Sequence, residues 1–524
     1  MVREVGRSTT TLTAEQNTSR LLLSSKHNLS TISARLRERI NHLGMLRKQS
    51  LLRPTSIPIY ICCEEGQLDA LASRPLDGGA RHSKYPREGQ IVQAERSIVE
   101  HTLDSFRWVR GQELPLPMSL YLIGIFLPYR SHFNFFMSPP NLLRRLSLDS
   151  SHPESLHPCL RNACHLAACS ALGGRWGDLE PYFSGRTRSY LNEALANPSS
   201  EHMTQYLRAS TLMASYLLRA RRLEETYMII TPTCYLAAAC GLLCSHNPEV
   251  EDNYQPDRLL LPPPATEDEA LDRIWLAHSI FITDHSLSVL TGIPGSFLCG
   301  NRWGPSMENA EGVYPWFKMP MVREELLSKI WQSDIHRNVA TVYLFHRVNT
   351  AARSIYNNRA IVDETDLISI KSSIRSHDWS IPPLAVVIND HESKILFSHA
   401  TLFGSSAILH SLYAGQDLKA RSEMLRCVET LVGICKQLRG HEHLRSVHSS
   451  IVPMVHMMNA IRILAHELRR PEVQANAALA TRHCHSIEIL LDFLGSMTAL
   501  HPAWSDSPEV LKETLNGAID SLKV

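Results

Sequence analysis

The clearest run of apolar and polar positions lies between residues 261 and 295, and it marks its own start, face and stop. Pro262, Pro263 and Pro264 exclude helix just upstream. Thr266 and Glu269 form a Ser/Thr-x-x-Glu pair in which each side chain can satisfy the other residue's free backbone N–H. Leu271, Ile274, Trp275, His278, Phe281, Ile282, His285 and Val289 then recur at steps of three and four. That spacing predicts a helix of about 24 residues, roughly 36 Å long, with one apolar side. Gly292 and Pro294 close it. The chain reads as organised round this core helix.

Elsewhere the same periodicity recurs without the strict alternation of strands, so the expected class is all-α. Residues 1–90 are polar or rich in Pro and Gly and are expected to be a disordered and linker region. Within them, Leu29, Ile32, Leu36, Leu43 and Leu46 fit a heptad over 29–52, with Arg39 at a position that wants an apolar residue. This is a candidate homodimerising helix or a lone surface helix. From about residue 91 to 500 the pattern predicts one large domain of packed helical hairpins, followed by a tail over 501–524. Helices are expected at 182–196, 204–221, 227–243, 324–356, 364–376, 394–413, 417–438, 444–468 and 473–494. Trp303, Trp316 and Phe317 fall in an aromatic loop at 301–320.

Composition adds limits more than chemistry. With 44% hydrophobic residues, 20% charged and a formal net charge of +1, the 524-residue chain has an ordinary globular balance and no field that recommends nucleic acid as a direct partner. The twelve cysteines sit mostly inside apolar runs, which fits buried thiols in a reducing compartment. Cys159, Cys164 and Cys169 are five apart and rotate away from one another on a helix, so they are read as core. Residues 1–25 carry no uninterrupted apolar signal segment, and no run is long enough for a membrane span.

Catalytic and metal motifs were sought and none emerged. There is no G-x-S-x-G and no phosphate-binding Gly-rich loop. The histidines at 441, 443, 448, 456 and 466 lack the H-E-x-x-H arrangement, and His483-Cys484-His485 alternates round a helix. No C-x-x-C occurs anywhere, so no cofactor is expected in this chain. Arg144-Arg145-Leu146-Ser147 places basic residues before Ser147, a candidate phosphorylation site.

Three ordered segments carry a resemblance. Residues 127–148 combine aromatics, His132 and Pro139-Pro140 ahead of a Leu-rich helix, and residues 238–248 read AACGLLCSHNP. Arg273, Trp275, Asp284, Ser286, Ser288, Gly292 and Pro294 then follow in order. Together these resemble the middle homology region of fungal zinc-cluster regulators, the fungal-specific transcription factor domain, here of basidiomycete type. His285 and Ile293 stand where that family usually has Arg, and the Trp275 to Asp284 spacing is about two residues longer than usual. The resemblance implies a nuclear regulatory domain, not an enzyme, that modulates RNA polymerase II transcription. It also implies co-regulator partners, a candidate small-molecule effector, and no membrane. The six-cysteine zinc cluster that reads DNA in that family is absent. DNA binding and zinc are therefore expected only through a cluster lost from the gene model or through a partner. The competing expectations are a helical small-molecule binder and a protein-binding scaffold with no role in transcription.

Overall fold

The computed structural model of the chain describes residues 113–149, 152, 154–196, 200–242, 260–291, 293, 295–296, 334–356, 364–380, 390–439 and 451–500. Among these residues the regular elements are fourteen α-helices and two short 3-10 turns, with no strand, so the protein is all-α as expected. The candidate helix at 29–52, the aromatic loop at 301–320, the tail at 501–524 and the histidines at 441, 443 and 448 lie outside the described residues. So do Gly292 and Pro294. No helix among the described residues is long and apolar enough to cross a membrane. The single domain expected over 91–500 is divided into two compact units, with the boundary between Tyr216 and Leu217.

The first unit holds α1 (Leu116–Tyr129), α2 (Pro139–Ser147), α3 (Pro158–Leu172), α4 (Glu180–Ala196) and most of α5 (Ser200–Arg219). The Ser138 hydroxyl accepts from the Asn141 N–H at 3.4 Å, and the prolines occupy the first helical positions of α2, where a missing N–H costs nothing. The aromatics ahead of that helix are core anchors: Phe133 and Phe135 are buried against Phe126, at ring-centroid distances of 6.2 and 5.2 Å. α3 packs between α1 and α4. Its Cys159, Cys164 and Cys169 are buried free thiols, and burial pushes Cys159 up to about 12.

The second unit contains α6 (Leu223–Ala239), α7 (Glu267–Thr291), α8 (Asp334–Tyr356), α9 (Glu364–Ser380), α10 (Asp390–Ser411) and α11 (Leu418–Arg439). After these come α12 (Ile451–Leu468), α13 (Pro471–Gln474) and α14 (Ala477–Leu500). The expected organiser, α7, packs mainly on α6 and α8. The hub is α10, which touches α8, α9, α11 and α12. Small residues explain why α10 can serve four neighbours: Ser398, Ala400, Thr401, Ser405, Ser406 and Ala407 are all buried, and their short side chains let other helices close in. The tightest approach is at Gly404, where a Cβ would fall inside the imidazole of His456 on α12.

One expected helix is two. The run at 473–494 breaks after α13 because the Asn476 side chain accepts from the Leu479 N–H at 3.1 Å, capping a new start for α14. Below that junction the fully buried Glu467 is held by two arginines. Arg421 reaches one carboxylate oxygen at 2.6 Å, and Arg470 reaches the other at 2.9 Å. The Arg470 contact has the distance of an ion pair but not the angle of a hydrogen bond. Its attraction is therefore chiefly Coulombic.

Candidate functional site

Of the residues that carry the resemblance, Arg273, Trp275, Asp284, Ser286 and Ser288 sit on α7, and its start is built much as the sequence predicts. The Thr266 hydroxyl accepts from the Glu269 N–H at 3.2 Å. The return contact differs by one residue, because the Glu269 carboxylate accepts from the Ala265 N–H at 2.8 Å and not from Thr266. Its other oxygen takes the guanidinium of Arg273 at 2.5 Å, and Arg273 also donates to the Pro262 carbonyl at 2.6 Å. Arg273 is thus a buried strut that ties the proline lead-in to the first turns of the helix.

The expectation of one apolar side is overturned. From Arg273 to Val289 the buried residues lie all round α7, and only Trp275 is half-exposed among them. Burial of the polar side is possible because its side chains bond their own helix. Ser279 donates to the Trp275 carbonyl at 2.8 Å and Thr283 to the Ser279 carbonyl at 2.9 Å. His278 and His285 use Nδ1 on the carbonyls four residues back, at 2.7 and 3.0 Å. A hydroxyl closed in this way behaves as a small, nearly apolar group. Ser286 and Ser288 are buried on the same helix.

Asp284 does something different: it reaches beyond its own helix. One oxygen accepts from the backbone N–H of Ser296 at 3.1 Å, twelve residues on. A Cβ at Gly295 would lie 2.6 Å from the other oxygen, so only glycine lets the returning chain pass so close. The Ser296 hydroxyl bonds that of Thr231 on α6 at 2.9 Å. The Cys234 thiol, also on α6, donates to the carboxylate, and burial followed by the adjacent charge drives its pKa well up. Asp284, Gly295, Ser296, Thr231 and Cys234 therefore form a clasp that joins α6, α7 and the turn after α7. The resemblance flags Asp284, while Ser296, Thr231 and Cys234 go unmarked, because a contact across twelve residues, or fifty, leaves no periodic trace.

The clasp is not built as an acid–base pair. His285 Nδ1 lies 4.0 Å from Asp284, too far for a hydrogen bond, and is already engaged by the Phe281 carbonyl. Burial, then His346, holds the imidazole well below its ordinary pKa, so it is neutral and this contact is not an ion pair. The ring stacks on Phe281 at 3.8 Å and meets His346 of α8 edge-on at 4.9 Å. What the arrangement does chemically is fix three segments to one another.

The remaining candidates are dispersed. Ser147 is exposed at the end of α2, its hydroxyl donating to the Arg144 carbonyl at 2.9 Å, while Arg144 pairs with Glu154 at 2.6 Å. His456 is buried and His466 exposed. His483 and Cys484 are buried and His485 faces out. Among the described residues no group of three or more His, Cys, Asp or Glu side chains is placed to hold a metal ion. Compared with protein families, curated proteins and solved structures, the chain matches none of them.

Proposed function

We propose that this chain is a helical regulatory body of the kind that forms the middle homology region of fungal zinc-cluster transcription factors, and that it modulates transcription through packing changes. The clasp carries the reading. It gives a physical reason for an acid at 284 followed by a glycine at 295, since the carboxylate takes an N–H beyond the helix and needs a glycine beside it. Arg273 supports it too, because an arginine at the helix start is there to hold the lead-in segment. A body of this kind works by having two packings whose balance a partner or effector shifts. Co-regulator proteins are the expected partners, and DNA and zinc enter only through a six-cysteine cluster lost from the gene model or through a partner.

The test is to fuse the full chain to a heterologous DNA-binding domain and measure reporter output in a fungal host. The chain should change output relative to the DNA-binding domain alone, and Gly295→Ala should alter that change at equal protein level. A fusion that is nuclear, folded and indistinguishable from the bare DNA-binding domain sinks the proposal.

A further inference from the structure

The end of α2 and the residue after it read Leu143-Arg144-Arg145-Leu146-Ser147-Leu148. Two arginines, one spacer, a serine and then an apolar residue make a charge pattern of the kind that kinases with an acidic substrate groove select. The structure adds what that pattern alone lacks. Ser147 is exposed as the last residue of α2, and Leu148 has already left the helix for extended backbone, at φ −74° and ψ 148°. A kinase takes its substrate in extended form, so one further turn has to open. α2 is only nine residues long, too short to stand by its own hydrogen bonds, and it is held down by the buried Leu142 and Leu146. Its end can therefore fray while Leu142 stays anchored.

The present partner of Arg144 is exchangeable. Its guanidinium meets Glu154 at 2.6 Å, but the two side chains are 52% and 55% exposed, so the pair is weakly held. A phosphate on Ser147 would stand one helical turn from Arg144 and carry about 1.5–2 negative charges against the single charge of Glu154. The phosphoester oxygen has no proton to give, so the bond from the Ser147 hydroxyl to the Arg144 carbonyl is lost at the same time. Negative charge at the C-terminal end of a helix is itself unfavourable and works in the same direction. The effect reaches the start of α3, because the Arg145 carbonyl accepts from the N–H of the fully buried Leu156 at 3.0 Å.

We propose that Ser147 is phosphorylated by a serine kinase that reads Arg144 and Arg145, and that the phosphate then draws Arg144 off Glu154 and loosens the entry to α3. In the transfer the Ser147 oxygen bonds the γ-phosphorus of a nucleoside triphosphate, the bond from that phosphorus to the bridging oxygen breaks, nucleoside diphosphate leaves, and the hydroxyl proton passes to the kinase's base. The inference goes beyond the regulatory proposal and stands whether or not the chain acts in transcription. The full chain is to be incubated with magnesium ATP and the catalytic subunit of a cyclic-AMP-dependent kinase, with a peptide of residues 141–149 as reference, and the sites mapped by mass spectrometry. One phosphate per chain at Ser147 is expected, and none at that position in Ser147→Ala. Arg144→Gln and Arg145→Gln should each lower kcat/KM by about tenfold, the loss of one charge-assisted contact. Glu154→Gln is the second variant: it releases Arg144 without touching the recognition sequence, and should be phosphorylated several-fold faster. Hydrogen exchange in peptides that contain Leu156 should quicken several-fold on phosphorylation of the unsubstituted chain. A chain left unmodified at Ser147 whether or not the peptide reacts, rates unmoved by the arginine changes or by Glu154→Gln, or exchange unaltered by the phosphate each overturns the assignment.

Discussion

Replacing Gly404 by alanine tests whether the close crossing of α10 and α12 is what holds the second unit together. In an open helix this change is favourable, since alanine gains about 0.8–1 kcal/mol over glycine in helix propensity. At Gly404 the added methyl would fall inside the His456 ring. That ring is fully buried and cannot yield easily, because the ring of Phe345 on α8 packs against it at a centroid distance of 4.1 Å. Overpacking of a dense core costs about 1–3 kcal/mol, so after the propensity gain the net effect should be a loss of roughly 0–2 kcal/mol, against the gain expected in an open helix. Gly433 on α11 is the matched control: a Cβ there meets nothing within 4 Å, and Gly433→Ala should stabilise by several tenths of a kcal/mol. The assay is chemical denaturation of the full chain with hydrogen exchange of peptides from α10 and α12, which reads this unit and not the other. A His456→Ala change combined with Gly404→Ala should recover part of the loss, as expected of residues in direct contact. If Gly404→Ala proves as stabilising as Gly433→Ala, the crossing has been misjudged.

Three further outcomes are expected. Gly295→Ala should cost about 1–3 kcal/mol by forcing Asp284 off the Ser296 N–H, and Asp284→Ala in the same chain should make the added cost of that alanine small; independent, additive losses would remove the clasp from the argument. Glu467→Ala should cost about 3–5 kcal/mol by stranding Arg421 and Arg470, whereas Arg482→Ala, which breaks the exposed pair with Glu429, should cost at most about 1 kcal/mol; equal effects would refute the distinction between buried and exposed pairs. Acid should weaken the second unit. Burial holds His278 at about 4, His456 at about 3 and His285 well below its ordinary value. Above the unfolded pKa of about 6.5 neither state takes the proton, and below it the unfolded chain binds protons that the fold refuses. The loss by pH 5.5 is about 1 kcal/mol per histidine relative to pH 7, or roughly 3 kcal/mol for the three together. A urea midpoint that does not move between those pH values contradicts their neutral burial.

Much of the helical architecture was legible from spacing because local signals mark helix ends. Thr266 and Glu269 announced the start of α7, and Pro139-Pro140 that of α2. Packing was less legible, for reasons that particular residues make plain. Ser279, Thr283, Ser286 and Ser288 fall outside the apolar side that the spacing predicts, yet hydroxyls that bond their own helix can be buried, so α7 is enclosed all round. The hub role of α10 was missed because small residues look unremarkable in a hydrophobic pattern, although they are what permits close neighbours. Asn476 was read through as helix when its side chain was a cap. Of the candidate site, the helix residues were visible through the resemblance and the partners Ser296, Thr231 and Cys234 were not, since proximity in space between distant positions leaves no mark in one sequence.

The clasp also bears on how this chain can change over generations. Because one oxygen of Asp284 occupies the room a methyl at position 295 would need, the two positions are not free to drift singly. Lineages that shorten or lose the acid at 284 should be the ones in which 295 accepts other amino acids, and lineages that retain the acid should show glycine there. Joint substitution at sites eleven apart would record that constraint.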